Sequence, residues 1–228
     1  MHEKSISLDS RLKCIAELIG KCDHYADIGC DHGRLGAFLL QHHWVNEAFL
    51  TDISDASLQK ARTLIRLLGL DMRAHFLVCD GLEGLETTVD AIVIAGMGGT
   101  TIASILEKGK AKIGNARLIL QANVAIPELR ERLSALGYRI SDEKLVRDGR
   151  RFYIVICAER GSAEYGEIEK IAGPVLVRNR PEGFVDYANY RLGIAKKARD
   201  GAVRGGENVS ELEREIRAWE ACLNGERS

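Results

Sequence analysis

The chain has no Cys-x-x-Cys pair, no surplus of either charge, no long apolar run and no internal repeat. Each absence removes a class of function. The six cysteines, at 14, 22, 30, 79, 157 and 222, are too scattered for a zinc site or a disulfide framework, and they point to a reducing compartment. The formal net charge is -1, so no overall basicity advertises nucleic acid, and any such binding must use a local patch. No apolar stretch reaches the roughly 18 residues of a membrane span. The N-terminus, Met1 to Asp9, lacks the apolar core of a signal peptide. What remains is ordinary globular composition, 228 residues of which 46% are hydrophobic and 29% charged. That length suffices for one α/β domain with a smaller appendage.

The dinucleotide fingerprint is missing too. His24 to Leu35 (HYADIGCDHGRL) reads as a short buried strand running through a glycine turn into a helix. A pyrophosphate-binding turn would carry Gly-x-Gly-x-x-Gly, so that bare N–H groups and a helix N-terminus meet the phosphates. This turn carries Gly29-x-Asp31-x-Gly33 instead, with Asp27 just before it. A carboxylate there repels phosphate and suits a cationic, phosphate-free ligand such as S-adenosylmethionine. The plain alternative is an ordinary strand-turn-helix with an Asp N-cap.

Strand and helix patterns alternate along the chain. Helices are expected at Ser10 to Ile19, Gly33 to His42, Asp55 to Leu68, Thr100 to Lys108 and Pro127 to Leu136. Strands are expected at His24 to Ile28, Asn46 to Ile53, Arg73 to Cys79, Val89 to Ala95 and Ala116 to Gln121, with a closing antiparallel hairpin at Tyr138 to Val146 and Phe152 to Ala158. The alternation argues a doubly wound α/β sheet. The final hairpin, by analogy with known folds, narrows it to a seven-stranded Rossmann-like methyltransferase sheet. In a parallel sheet, ligands bind at the carboxyl ends of the strands. Those ends carry Asp27, Asp52, Asp80, Gly96 to Gly99 and Asn123. Singly, each is a common turn residue; the ordered series is what argues for a site. Asp52 falls about 20 residues after the first turn, where an acid binds ribose hydroxyls. Asp80-Gly81 suits an adenine amino group. Gly96-Met97-Gly98-Gly99 leaves a floor free of bulky side chains for a flat base.

After Gly161 the composition changes. Phe184 to Ala202 and Val209 to Leu223 read as two helices joined by Arg204-Gly205-Gly206. Val209, Leu212, Ile216, Trp219 and Leu223 have coiled-coil spacing. From Tyr187 to Arg204 there are five basic residues against one acid, and from Gly205 to Glu226 six acids against two basic residues. Either the helices neutralise one another as a hairpin, or Arg191, Lys196, Lys197 and Arg199 keep charge free for a polyanion. The expected domains are residues 1–160 and a helical hairpin, 161–228.

Ala26-Asp27-Ile28-Gly29-Cys30-Asp31-His32-x-x-Leu35, Asp80-Gly81-Leu82, Ile94-Ala95-Gly96-Met97-Gly98-Gly99 and Leu118-Ile119-Leu120-Gln121-x-Asn123 together resemble the TrmK family of bacterial tRNA methyltransferases, which act on N1 of the adenine at position 22. The resemblance runs from about Ile6 to Gly161 and more loosely into the helical tail. Gly36 and Ala122 stand where the family usually has proline. The resemblance implies S-adenosyl-L-methionine as cofactor, held by Asp27, Gly29, Asp52, Ile53, Asp80, Gly81, Ala95, Gly96 and Met97. It implies Asp31 as the catalytic carboxylate and Asn123 on a base edge. His32 either orients Asp31 or is a structural helix-start residue. Arg11, Gly98, Gly99 and Gln121, with Lys196, Lys197 and Arg199 of the tail, are the expected RNA contacts. The implied setting is cytoplasmic, with tRNA as partner, no membrane, no metal, and a monomer or weak dimer. Two alternatives stand beside it: a methyltransferase of another RNA or a small molecule, and a catalytically idle tRNA-binding module. No Asp/Asn-Pro-Pro-aromatic motif follows the fourth strand, which argues against N6 chemistry.

Overall fold

Unbroken apolar runs build the centre of the sheet. In the computed structural model, which describes residues 6–226, β1 (Cys22–Ile28), β2 (Val45–Asp52), β3 (Ala74–Val78), β4 (Ala91–Gly98) and β5 (Arg117–Val124) pair in parallel. Met1 to Ser5, part of the stretch read for a signal peptide, lie outside the described residues. β6 (Tyr138–Asp148) and β7 (Arg151–Arg160) form the antiparallel hairpin, and β7 pairs antiparallel with β5. The seven-stranded order is β3-β2-β1-β4-β5-β7-β6. Strand order therefore reverses between β1 and β4, and the crevice outside their carboxyl ends is where such sheets bind ligands.

Residues alternate between two buried layers along each central strand. Val93 and Ile119 face α1 (Ser10–Ile19), α2 (Arg34–Gln41) and α3 (Asp55–Leu67) with Ile15, Leu39 and Ile65. Ile92, Ile94, Leu118 and Leu120 face the opposite layer, which holds Ile102 of α4 (Gly99–Lys108) and Leu129 of α6 (Ile126–Ala135). The starts of α1 and α3 follow from their caps, with Asp9 accepting from the Leu12 N–H at 2.7 Å and Ser54 from the Ser57 N–H at 3.3 Å.

β4 and β5 run further than the apolar pattern suggests, through the glycine segment and through Asn123. Ladder pairing continues there because a register shift between Ala95 and Met97 absorbs the irregular backbone at Gly96. Three short helices also lack a sequence signal, being too brief for periodicity: α5 (Lys110–Ile113), α7 (Glu167–Ala172) and α8 (Pro174–Asn179).

The C-terminal helices α9 (Phe184–Gly205) and α10 (Ser210–Asn224) are not a free-standing pair. Phe184, Tyr187, Ala188 and Trp219 belong to the same buried cluster as Ile94, Leu120 and Ile156 of the sheet. α10 packs on α7 as well as α9, so its buried face (Ile216, Ala218, Trp219, Cys222) is broader than a two-helix seam. A fully buried ion pair ties the layers together. Arg130 Nε of α6 donates to Glu143 Oε1 of β6 at 2.9 Å, and its Nη1 donates to the Lys170 and Ile171 carbonyls, both at 2.9 Å. Glu143 Oε2 accepts from the Val175 N–H at 2.9 Å. No helix among the described residues is long and apolar enough to cross a membrane. No group of three or more His, Cys, Asp or Glu among the described residues could hold a metal ion.

Candidate active site

The turn after β1 is built from left-handed backbone. Gly29, Asp31 and Gly33 have φ of 75°, 48° and 65°. Asp is one of the few side chains that tolerate this region, at a cost of order 1–3 kcal/mol. Asp31 is not the helix cap, because Gly33 occupies that position of α2 without any side-chain cap bond. The turn is anchored instead to β2: the Gly29 and Cys30 N–H groups both donate to the Thr51 carbonyl at 2.9 Å. Asp31 projects into solvent at the cleft, and its Oδ2 lies 2.5 Å from His32 Nδ1.

Asp52, at the end of β2, is oriented from two sides. Its Oδ2 accepts from the Asp31 N–H at 3.2 Å and its Oδ1 from the Ser54 N–H at 2.9 Å. Each oxygen keeps a lone pair for a ligand, the arrangement a pair of vicinal hydroxyls requires. Asp27, by contrast, is buried. Desolvation pushes its carboxyl up to about 7, the Asp52 charge adds to the rise, and Tyr25 and Arg11 oppose it. A buried carboxyl in that state gains a great deal from a cation brought beside it.

The far wall is a relay across three segments. Arg11 Nη1 of α1 donates to Gln121 Oε1 at 2.6 Å. Gln121 Nε2 donates to Asn123 Oδ1 at 3.0 Å, and Asn123 Nδ2 donates to the Gly96 carbonyl at 2.8 Å. The relay fixes the Asn123 amide and threads β5 onto the glycine turn of β4. Gly96 has φ 81°, and a Cβ built on it would meet nothing nearer than Arg11 Nη1 at 3.8 Å, so this position is an open floor. Gly99 is different: a Cβ there would sit 2.0 Å from the Ala125 carbonyl oxygen. It is buried where the start of α4 passes the β5–α6 turn, and that close approach requires a residue without a side chain.

Asp27, Gly29, Asp52, Ile53, Asp80, Gly81, Ala95, Gly96 and Met97 line one cleft of about 810 Å³, with Arg11, Asp31 and His32. Gln121 and Asn123 stand behind it through the relay, and Gly98 follows at the end of β4. The tail residues lie elsewhere. On α9, Lys196 pairs with Glu220 at 2.7 Å, Arg199 with Asp200 at 2.6 Å, and Arg191 with Glu215 at 2.7 Å. Lys197 has no ion pair among the described residues. The hairpin is thus largely self-neutralising. The departure at Gly36 has a packing reason: a Cβ there would lie 2.7 Å from the Tyr25 hydroxyl and 2.8 Å from Leu50 Cδ2.

Sequence reading missed two contributors. Thr51 is fully buried; its hydroxyl donates to the Gly81 carbonyl at 3.3 Å and so couples two strand ends. A hydroxyl directly before Asp52, following the apolar Ala48-Phe49-Leu50, was the available signal. Tyr153, under the Arg11 guanidinium at 5.7 Å, arrives from the distant hairpin and left no local signal.

Residues 8–156 match a family model described as a methyltransferase domain. A curated relative, the tRNA (adenine(22)-N(1))-methyltransferase of Bacillus subtilis (strain 168), is 35% identical over 188 residues, covering 79% of each chain. Among solved structures, a candidate tRNA (m1A22) methyltransferase of Streptococcus pneumoniae in complex with S-adenosyl-L-methionine is 27% identical, with TM-score 0.86 over 95% of this chain and 100% of the other. The crystal structure of the B. subtilis m1A22 tRNA methyltransferase TrmK is 28% identical, with TM-score 0.82 over 96% of this chain and 97% of the other.

Proposed function

This chain belongs to the family of tRNA (adenine-22, N1)-methyltransferases, and from that membership and the cleft geometry we propose which residues carry the reaction, a methyl transfer from S-adenosyl-L-methionine to N1 of adenine 22 in tRNA. S-Adenosyl-L-methionine fits the cleft on the chemistry of its donors. The buried Asp27 carboxyl, pushed up to about 7, takes the ligand's ammonium. Asp52 keeps one lone pair free on each oxygen for the ribose hydroxyls. The Cβ-free surface of Gly96 lets the ligand approach the backbone closely. Bound there, the cofactor supplies an electrophilic methyl group.

The protein's own part is positioning and charge. Adenine N1 attacks with a lone pair and loses no proton in doing so, so the base becomes cationic as the N–C bond forms. Asp31 carries the reading: a carboxylate held at positive φ at the cleft mouth, 2.5 Å from His32, and backed by a backbone bond to Asp52. It stabilises the nascent adeninium or takes a proton from N6. Asn123, fixed by Gln121 and Arg11, meets the base edge. The adenine must leave its stack to reach this depth. Residues 1–160 supply this chemistry, and the helical part, 161–228, contributes an RNA-facing surface on which Lys197 is one of the cations left without an ion pair among the described residues. The protein works in the cytoplasm as a monomer or weak dimer. No observation favours a small-molecule substrate or an idle binding module.

The test is Asp31→Asn. Asn suits left-handed backbone at least as well as Asp and keeps the size, but it lacks the charge. The single-turnover rate at saturating cofactor and tRNA is expected to fall about 10²–10⁴-fold while cofactor affinity stays within a few-fold. A near-normal rate removes Asp31 from the chemistry.

A further inference from the structure

A second cavity, of about 520 Å³, opens beside the catalytic cleft where the end of β5 meets β7 and α9. Asn123 links the two: its amide donates to the carbonyl of Gly96, which lines the cleft, while Asn123 itself lines this cavity. The volume is in the range of small-ligand sites. The walls are aromatic. The Phe152 ring lies 5.5 Å from Tyr187 and 5.5 Å from Tyr190. Around it the surface stays apolar and uncovered, with Val124 65% exposed, Tyr190 49% and Ile194 46%. Three large apolar residues left open around one concavity mark a binding surface and not a scattered exposure.

Charge says what kind. Arg151 and Arg191 line the cavity, and no acidic residue does. Arg191 is committed to Glu215 at 2.7 Å, whereas Arg151 has no ion pair among the described residues. Its guanidinium interacts with Tyr153 but carries no ion pair among those residues, so it keeps donors for the phosphate attached to a flat ring held against Tyr190 and Val124. Aromatic faces with a nearby cation are the physical requirements for holding an unstacked nucleobase with its backbone. A base adjacent to an extruded adenine is such a group, because extrusion removes its stacking partner.

We propose that this cavity is a second nucleoside subsite, which stacks a base neighbouring the adenine under methylation and holds its phosphate on Arg151. The proposal rests on the tRNA reading above. By it, extrusion of one base is assisted through capture of the next.

The experiment uses the full-length protein, an unmodified tRNA transcript, and the same transcript made abasic at the nucleotide on each side of the target in turn. Tyr190→Ala is expected to raise the KM for tRNA about 10-fold, the cost of one lost stack. Cofactor affinity, thermal stability and the single-turnover rate at saturating tRNA stay near wild type, and Tyr190→Phe restores the KM. At one of the two abasic positions the wild type is expected to lose about the same factor and Tyr190→Ala to lose nothing more. Arg151→Gln is expected to lower the slope of log affinity against log salt by about 0.7. Ile194→Ser, on the same rim, is a second variant with the same expected direction. An unchanged KM in Tyr190→Ala and Ile194→Ser overturns the subsite, as do abasic and Tyr190→Ala penalties that simply multiply. A wild type that methylates tRNA while the variants are indifferent removes the subsite alone. A wild type that leaves tRNA unmethylated overturns the functional reading and the subsite with it.

Discussion

Cofactor affinity should depend on pH through Asp27. Its carboxyl sits buried at the end of β1 and is pushed up to about 7, chiefly by desolvation and further by Asp52, against the pull of Tyr25 and Arg11. At pH 6 only about a tenth of it is ionised in the free protein. A cationic ligand favours the ionised form, so binding must expel a proton there. The association constant is therefore expected to rise about tenfold from pH 5 to pH 6, to flatten near pH 7 and to fall again above pH 8, where the ligand's own α-amino group deprotonates. Calorimetric titration at pH 6 in buffers of different ionisation enthalpy should report release of close to one proton per cofactor, and about half a proton at pH 7. Asp27→Asn should bind more weakly at pH 8 and lose the acid limb. The same shift has an opposite sign for the empty protein. A carboxyl raised from 3.8 to about 7 contributes stability that is full below its unfolded value and is lost as pH climbs through the folded value, a span worth about 4 kcal/mol. The empty protein should thus lose stability between pH 4 and pH 7, and cofactor should restore it. Flat affinity between pH 5 and pH 7 with no proton release would refute the assignment, as would an acid limb that survives in Asp27→Asn.

Two further outcomes follow from the geometry. Asp52→Ala removes a charged acceptor at the ribose position and should weaken cofactor binding by about 1.5–3 kcal/mol in calorimetry, with an unchanged circular dichroism spectrum. Glu143→Ala leaves Arg130 buried without its counter-charge and should destabilise the fold by about 3–5 kcal/mol in denaturant titration; an effect below 1 kcal/mol would mean the pair is not isolated from water.

The parallel sheet and its polar strand ends were legible because both rest on local pattern. Val89 to Ala95 is apolar but for Asp90, close to what a strand buried on both faces requires, and Asp27, Asp52 and Asp80 each stand near the end of a strand pattern. The limits lie where distant segments meet. Arg11, Gln121 and Asn123 could be named individually, but no periodicity reveals that one hydrogen-bond relay joins them. Gly99 belongs to a glycine run that reads as an open floor, yet only the approach of Ala125 decides its role. In the tail, heptad spacing identified α10, whereas its docking on α7 was not visible, and α7 is itself held to α6 and β6 through the buried Arg130–Glu143 pair, two residue types that are seldom buried. The charge segregation between α9 and α10 was visible. That Lys196 and Arg191 spend theirs on Glu220 and Glu215 was not, since it depends on how the two helices are rotated against each other.

The most direct test of the central claim is the chemical identity of the product. Unmodified tRNA transcript bearing adenine at position 22, incubated with the full-length protein and labelled S-adenosyl-L-methionine, is digested and mapped by mass spectrometry. The account predicts one methyl group per tRNA, on N1 of that adenine, and none when it is replaced by guanine. Label at another nucleotide, on N6, or absent from tRNA altogether would contradict it.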